Sequence, residues 1–151
     1  MIRFESGSVF DYDTQAIVNT VNTVGVMGKG LALEFKKRHH YNYLQYKNAC
    51  VLNQVKVGEM FITENHDLFC GNYIINFPTK KHWRNPSEYE WIEFGLFDLR
   101  RQIIVNKIAS ITIPLLGCSN GGLDSKIIIE MIEKSLCGLD NVDIIIALNN
   151  E

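Results

Sequence analysis

The chain has 151 residues and lacks any apolar run long enough to span a membrane. No basic-then-apolar leader precedes the first strand pattern either. Its cysteines form no C-x-x-C pair, which argues against a disulfide framework and a zinc site; they are Cys50, Cys70, Cys118 and Cys137. From these absences we expect a soluble cytoplasmic protein with reduced thiols and no membrane partner.

Metal ligation and general polyanion binding are also disfavoured. The four histidines have no metal-ligand spacing with one another or with the cysteines; they are His39, His40, His66 and His82. A net charge of −2 argues against wholesale binding of polyanions. Basic residues do cluster at 36–40 and 80–84, and the first cluster is typical of a helix C-terminus whose cations offset the dipole.

Apolar runs alternate with helical patterns along the chain, and no linker or internal repeat divides them. This order predicts a mixed three-layer α/β domain. The expected strands are 2–4, 7–10, 15–21, 60–63, 73–77, 111–115 and 142–147, with Pro78 bounding the fifth. The expected helices are 29–38, 41–53, 87–105 and one capped by Asp124 or Ser125.

The longest helical pattern carries two further expectations. Ser87 and Glu90 have the spacing of a capping box at its start. Its aromatic residues Trp91, Phe94 and Phe97 recur at helical spacing and are most simply core.

Three loops leave the carboxyl ends of predicted strands, where ligands gather in such sheets: 19–30, 77–86 and 115–124. The first and third are rich in glycine and open into helices, so backbone N–H groups from both could hold a diphosphate. Asn19 and Asn22 end the strand before the first loop, where their amides could bind ribose hydroxyls. The first loop matches neither a Walker A element nor G-x-G-x-x-G, and a plain strand-to-helix turn is the alternative.

The middle loop carries the reactive side chains. Lys80 could act as a nucleophile or base if its pKa were lowered, and Lys81 offers a neighbouring charge to lower it. Trp83 and Arg84 could stack on a base and pair with a phosphate. The alternative is a solvated basic loop anchored by Trp83. Cys118 has no histidine arranged beside it and is more simply a packed loop residue.

Three motifs in this order resemble the macro domain family, and its DarG branch in particular. They are Ile17-Val-Asn-Thr-Val-Asn-Thr-Val-Gly-Val-Met-Gly-Lys-Gly30, Asn76-Phe-Pro-Thr-Lys80 with His82-Trp83-Arg84, and Leu116-Gly-Cys118 with Gly121-Gly-Leu-Asp124. The resemblance covers nearly the whole chain. It implies a single macro domain over residues 1–151, an α/β fold of three-layer α/β/α type with a mixed central sheet.

The resemblance also implies a function. DarG proteins are antitoxins that reverse DarT toxins, which ADP-ribosylate thymidine in single-stranded DNA. The chain would then be a metal-independent DNA ADP-ribosyl glycohydrolase that repairs this modification without a cofactor. Its partners would be ADP-ribose, ADP-ribosylated single-stranded DNA and a cognate DarT-type toxin. DarG proteins usually continue into a toxin-neutralising region, so the chain would be an excised domain or a stand-alone version.

The family pattern assigns roles to individual residues. Lys80 would attack the anomeric carbon and pass through a ring-opened lysyl adduct, while Asn22 positions the ribose. The residues expected to face DNA are Lys81, His82, Trp83 and Arg84. Those expected around ADP-ribose are Ser8, Val9, Asn19, Thr20, Asn22, Val24, Gly25, Val26, Met27, Gly28, Gly30, Thr79, Gly117, Cys118, Ser119, Asn120, Gly121, Gly122 and Leu123.

Two departures from the family pattern leave alternatives open. Gly7 is followed by Ser8 instead of the aspartate that contacts adenine in many macro domains. Gly121 stands where related terminal ADP-ribose glycohydrolases pair their lysine with an aspartate, and Asp124 suits a helix cap. Any acid or base besides Lys80 is therefore unassigned. The alternatives are a non-catalytic ADP-ribose-binding module and a hydrolase of ADP-ribosylated protein carboxylates or O-acyl-ADP-ribose.

Overall fold

A central sheet organises the chain, whose computed structural model describes residues 1–65 and 72–148; His66 and Cys70 therefore lie outside the described residues. In the described ranges the sheet has the strand order β1-β6-β5-β2-β4-β3. Neighbouring strands are parallel except β3, which runs antiparallel to β4 at the edge, so the predicted mixed sheet is confirmed. The strands are β1 Ile2–Glu5, β2 Ala16–Asn22, β3 Phe61–Asn65, β4 Asn72–Lys80, β5 Ser110–Pro114 and β6 Asp143–Ala147.

Helices cover both faces of the sheet. They are α1 Gly30–Arg38, α2 His40–Val51, α3 Tyr89–Val105 and α4 Ser125–Leu136. Because side chains alternate along a strand, Val18 packs with α3 and α4 while Ile17 packs on the other face against Phe35 of α1. The three layers predicted from the sequence are confirmed. No helix in the described part of the chain combines the length and hydropathy needed to cross a membrane.

Two local predictions near helix starts are wrong. Residues 7–10 form no strand, because Ser8 accepts a hydrogen bond from the Phe10 N–H at 3.3 Å and Asp11 accepts one from the Ser8 N–H at 2.7 Å. These local bonds start a 3-10 turn over Val9–Asp11 instead. The expected Ser87–Glu90 capping box is also absent, since α3 begins after Glu88 without a side-chain cap.

Two of the three aromatic residues expected in the core of α3 lie outside it. Phe94 is 56% exposed and Phe97 is 75% exposed, and Trp91 is only half-buried. The stripe that enters the core is Ile92, Leu96, Leu99 and Ile103. The aromatic and aliphatic stripes of α3 share the helical period, and only the aliphatic one faces the sheet.

A buried asparagine cluster joins β2, β4 and α2. Asn76 Oδ1 accepts hydrogen bonds from Asn19 Nδ2 at 3.3 Å and Asn42 Nδ2 at 3.1 Å. The Asn76 amide donates in turn to Asn42 Oδ1 and to the Phe61 carbonyl. Thr63 donates to Asn42 Oδ1 at 2.7 Å, which ties the edge strand β3 into the cluster. Asn42, Thr63 and Asn76 satisfy one another, whereas Asn19 Oδ1 is buried without a hydrogen-bond partner. We infer that the cluster acts mainly in stability and register.

We expect Asn76→Leu to lower the free energy of unfolding by about 2–3 kcal/mol, because it strips partners from Asn19, Asn42 and Phe61 at once. Chemical denaturation followed by circular dichroism measures the loss. Asn48→Leu is the matched control, because Asn48 is exposed on α2 and should change stability little. Equal stability of the two variants would mean that the buried cluster contributes nothing.

Candidate active site

A cleft of about 670 Å³ opens where the parallel strands β2, β4 and β5 end. β2 lies between β4 and β5, so the cleft sits where the strand order changes direction, the usual ligand position in open α/β sheets. Its volume falls in the range of small-molecule and cofactor sites. The lining residues are Thr20, Val21, Asn22, Val26, Gly28, Lys29, Leu31, Ala32, Thr79, Lys80, Trp83, Arg84, Leu115, Gly117, Cys118, Ser119, Asn120 and Gly121.

A β-bulge brings Lys80 beside Asn22. Strand β4 continues through Pro78 to Lys80, beyond the predicted end at Pro78. Val21 pairs with Pro78, but Asn22 pairs with Lys80, so Thr79 is the extra residue of the bulge. Bulges re-aim side chains and are frequent next to active sites. Here the bulge places the two residues predicted to be catalytic directly opposite each other at the cleft floor.

The Lys80 ammonium is held between two loops. Its Nζ donates to the Asn120 carbonyl at 2.8 Å and to the Trp83 carbonyl at 3.3 Å. Burial in the cleft, and then the positive charge of Lys29, hold the pKa of Lys80 below its ordinary value of 10.5. A larger share of this amine is therefore unprotonated at neutral pH than for an exposed lysine, as a nucleophilic role requires.

The neighbouring charge that lowers the Lys80 pKa comes from Lys29, so the assignment of this role to Lys81 is wrong. Lys81 lies just beyond the end of β4, and its Nζ lies 5.4 Å from the centre of the Trp91 ring. Lys29 reaches the cleft from the position just before α1. Sequence reasoning missed it because 51 positions separate the two lysines.

We expect Lys29→Gln to raise the pKa of Lys80, since a nearby cation disfavours the protonated amine. The pH–rate profile should then shift to higher pH, with a several-fold lower rate at neutral pH that recovers in alkali. Lys29→Arg keeps the charge and should leave the inflection in place. A Lys29→Gln profile that is lowered equally at every pH would show that Lys29 does not tune Lys80.

The Asn22 side chain organises the first loop. Its Oδ1 accepts hydrogen bonds from the backbone N–H groups of Val24 and Gly25 at 3.1 Å and of Val26 at 3.3 Å. Its Nδ2 donates to the Val26 carbonyl at 2.8 Å. The buried Tyr46 hydroxyl adds a fourth contact to Oδ1 at 2.8 Å. Asn22 therefore shapes the loop beside Lys80, and the N–H groups of residues 24–26 are already engaged.

The two helices that follow the glycine loops differ at their first turns. Asp124 caps α4 by accepting from the Lys126 N–H at 2.9 Å, as predicted, so this terminus carries its own carboxylate. The N-cap residue of α1 is Lys29, whose side chain makes no capping bond. Because helix N-termini attract anions, the start of α1, with Gly28 and Lys29 in the cleft, is the better anion site.

Gly121 has no room for a side chain. A Cβ there would lie 2.4 Å from the Gly117 carbonyl oxygen and 2.4 Å from Ser87 Oγ. The Ser87 N–H also donates to the Gly121 carbonyl at 3.0 Å, so this part of the third loop packs against the residues before α3. An aspartate at this position would force the loop apart. No carboxylate is among the described residues that line the cleft.

Cys118 is the other titratable group on the third loop. Burial, and then the charge of Asp124, raise the pKa of its thiol to about 11. The thiol is therefore protonated at neutral pH, and its Sγ lies 3.6 Å from the Leu116 carbonyl. This agrees with a packed loop residue rather than a nucleophile. Within residues 1–65 and 72–148, no three His, Cys, Asp or Glu side chains are placed to hold a metal ion.

A stacked group of side chains forms the cleft rim beyond Lys80. The His82 ring lies 5.3 Å from the Trp83 ring at an angle of 30°. The Arg84 guanidinium lies 4.7 Å from the Trp83 ring centre. The Trp83 side chain remains 46% exposed. An exposed indole beside a cation can stack on a base next to a phosphate, as the sequence suggested.

The structure gathers 13 of the sequence-predicted site residues in the cleft: Thr20, Asn22, Val26, Gly28, Thr79, Lys80, Trp83, Arg84, Gly117, Cys118, Ser119, Asn120 and Gly121. It leaves Ser8, Val9, Asn19, Val24, Gly25, Met27, Gly30, Lys81, His82, Gly122 and Leu123 outside the lining. Asn19 is fully buried in the asparagine cluster, and Met27 is 1% exposed beside it. Sequence reasoning missed Val21, Lys29, Leu31, Ala32 and Leu115.

Fold and cleft together define an α/β protein with a ligand site at the switch point of a mixed sheet. Residues 18–132 match the macro domain family. The solved macrodomain of Mycobacterium tuberculosis DarG superposes with a TM-score of 0.94 at 46% identity, covering 97% of each chain. Thermosipho africanus DarTG, solved in complex with ADP-ribose, superposes with a TM-score of 0.90 at 32% identity over 97% of this chain and 41% of that one. The chain belongs to the macro domain family.

Two of the curated relatives that match this chain carry the name of one activity. The DNA ADP-ribosyl glycohydrolase of Mycobacterium tuberculosis is 46% identical over 146 residues, which are 97% of this chain and 42% of the relative. The enzyme of the same name from Thermus aquaticus is 45% identical over 95% of this chain and 40% of its own length. The chain thus spans about two fifths of the length of these relatives.

Proposed function

We propose that the protein is a DNA ADP-ribosyl glycohydrolase that releases ADP-ribose from thymidine bases of DNA and so reverses a DarT-type toxin. The observation that carries the proposal is Lys80. Its amine has a lowered pKa, lies opposite Asn22 and faces a cleft whose rim is aromatic and basic. The names of the curated relatives from Mycobacterium tuberculosis and Thermus aquaticus support the same activity.

ADP-ribose would lie along the cleft with its diphosphate at the start of α1. Gly28 and Lys29 supply backbone and charge there, and Asn120 approaches from the opposite loop, its Nδ2 lying 3.4 Å from where a Gly30 Cβ would stand. The distal ribose would then lie against Lys80 and the first loop, whose shape Asn22 holds. The adenine would lie towards Leu31, which packs in the same apolar cluster as Val9. The DNA base would leave the cleft past Trp83.

The proposed reaction uses the unprotonated Lys80 amine. The amine forms a bond to the anomeric carbon as the bond from that carbon to the thymine nitrogen breaks with its electron pair. The new ammonium gives a proton, through water, to the thymine nitrogen. Opening of the ribose ring gives an imine, and its hydrolysis by water releases ADP-ribose and restores Lys80. The sequence of steps requires no carboxylate, which fits a cleft lined without one.

The biological setting follows from this activity. We propose a DarT-type toxin as the functional partner and the cytoplasm as the compartment, as expected for an antitoxin that repairs DNA. The fusion of a DNA ADP-ribosyl transferase with a DNA ADP-ribosyl glycohydrolase in Thermosipho africanus supports a toxin partner. The described cysteines Cys50, Cys118 and Cys137 are unpaired, as in a reducing compartment.

The test compares three substrates. We expect ADP-ribose to be released from single-stranded DNA carrying ADP-ribosyl thymidine, and much more slowly from an ADP-ribosylated acidic protein and from O-acetyl-ADP-ribose. Faster release from the protein or the ester would overturn the DNA assignment. Tight binding of ADP-ribose with intact DNA after prolonged incubation would instead identify a non-catalytic binding module.

A further inference from the structure

The part of the chain from residue 14 to residue 58 carries a charge opposite to that of the whole. It holds six cations, at positions 29, 36, 37, 38, 47 and 56, against the single acid Glu34. The remaining residues hold nine cations against sixteen acids. Glu34 pairs with Arg38 at 2.9 Å, and α2 has no acidic residue. One helical face of an acidic protein is therefore basic, which is the electrostatic footprint of a polyanion site.

Two lysines on different helices of this face converge on one aromatic ring. Lys36 Nζ of α1 lies 4.6 Å from the centre of the Tyr43 ring of α2, and Lys47 Nζ lies 5.9 Å from the same centre. The His40 ring lies 5.8 Å from that of Tyr43. Cation–π attraction holds the two like charges near one another. An anion bound between them would relieve their repulsion.

This surface continues into the cleft. Gly25 packs against Lys47, since a Cβ on Gly25 would lie 3.8 Å from Lys47 Cγ. Val26 follows and lines the cleft together with Lys29. Lys36 is seven residues after Lys29 along α1, a distance of about 10 Å at the helical rise. Lys29, Lys36, Tyr43 and Lys47 thus form one basic strip from the cleft mouth across the two helices, the α1–α2 track.

We propose that the α1–α2 track binds the single strand of DNA on one side of the modified nucleotide, while the Trp83 rim binds the other side. The proposal rests on the function proposed above. Lysines that follow a backbone, with an aromatic ring between them, are how proteins hold single strands without reading their sequence. Tyr43 is half-buried, and the ammonium groups of Lys36 and Lys47 lie over its ring. One base can stack on this ring when the two flexible lysines turn to the flanking phosphates.

The test removes the two cations that lie outside the cleft. Lys36→Gln/Lys47→Gln is compared with Lys126→Gln/Lys134→Gln, which makes the same charge change at exposed positions of α4. Binding of an unmodified thymidine oligonucleotide of about 20 nucleotides is measured by fluorescence anisotropy at salt concentrations from about 50 to 200 mM. Binding of free ADP-ribose is measured in parallel by calorimetry.

We expect the track variant to bind the oligonucleotide roughly tenfold more weakly at low salt, with a salt slope smaller by about 1.4, while the α4 variant behaves as the parent. The ratio of oligonucleotide affinity to ADP-ribose affinity should fall by the same factor. Duplex DNA of equal length should bind more weakly than the single strand, because its bases cannot stack on Tyr43. Tyr43→Leu should reduce this preference for single strands.

Several results would overturn the proposal. They are an unchanged salt slope in the track variant, an equal loss in the α4 variant, and equal affinity for duplex and single strand. Displacement of the oligonucleotide by polyglutamate of matched charge at equal potency would reveal a site for acidic proteins instead. The binding assay uses unmodified DNA, so it is independent of turnover. If the track variant binds the oligonucleotide more weakly but the parent leaves modified DNA uncleaved, only the proposed function is contradicted. If the parent cleaves modified DNA but the track variant binds the oligonucleotide as the parent does, only the track is contradicted.

Discussion

Lys80→Ala is expected to lower release of ADP-ribose from modified DNA by about a thousandfold or more, because it removes the amine that we assign to attack the anomeric carbon. Lys80→Arg should be equally inactive, because a guanidinium stays protonated and cannot act as the nucleophile. Release is measured by chromatography of ADP-ribose, and binding of free ADP-ribose by calorimetry.

The pattern of binding and turnover distinguishes the role of Lys80. Both variants should still bind ADP-ribose, because its diphosphate is assigned to the start of α1. Lys134→Ala, an exposed lysine of α4, should cleave as the parent does. A Lys80→Ala variant that cleaves at the parent rate would remove Lys80 from the chemistry. A variant that loses binding and turnover in equal proportion would make Lys80 a binding residue.

Asn22→Ala is expected to weaken ADP-ribose binding by at least about tenfold and to lower the free energy of unfolding by about 2 kcal/mol. The change removes the acceptor shared by the N–H groups of Val24, Gly25 and Val26 and by the Tyr46 hydroxyl. The loop beside Lys80 then loses its shape. Calorimetry with ADP-ribose and chemical denaturation measure the two effects.

Asn22→Asp is the matched comparison for Asn22→Ala. A carboxylate can accept from the same N–H groups, so it should restore much of the stability lost in Asn22→Ala. It also places a negative charge opposite Lys80, which should raise the pKa of the lysine and move the pH–rate profile to higher pH. If the two substitutions are equally unstable, the Asn22 oxygen is not the organiser of the loop. If Asn22→Asp leaves the pH profile unchanged, the two side chains do not interact.

Much of the fold could be predicted because its apolar periods are strong. Ala16–Asn22 and Asp143–Ala147 are continuous buried strands, and the aliphatic stripe of α3 recurs at helical spacing. The failures have local causes. Ser8 and Asp11 form side-chain bonds that replace the expected strand with a turn. Phe94 and Phe97 share the period of the core stripe but lie on the opposite side of the helix, which a period alone cannot distinguish.

The candidate site was predictable where it follows strand ends, and not where distant residues meet. The three loops converge because parallel strands end at one edge, so Lys80, Trp83 and Gly117 were found. Lys29 was missed as the charge beside Lys80 because the two lysines are 51 positions apart and no motif links them. The pairing of Asn22 with Lys80 depends on the bulge at Thr79, which is invisible in a strand pattern ending at Pro78. Asn22 was predicted to position the ribose, and the sequence pattern gave no sign that its side-chain oxygen also binds its own loop.

The central claim is that Lys80 removes ADP-ribose from DNA through a covalent imine. Borohydride added during turnover of ADP-ribosylated single-stranded DNA reduces such an imine to a stable amine, and peptide mass spectrometry locates it. The account predicts one ADP-ribosyl adduct on the peptide containing Lys80 and DNA restored to its unmodified mass. An adduct on another residue, or restored DNA with Lys80 unlabelled at every time point, would contradict it.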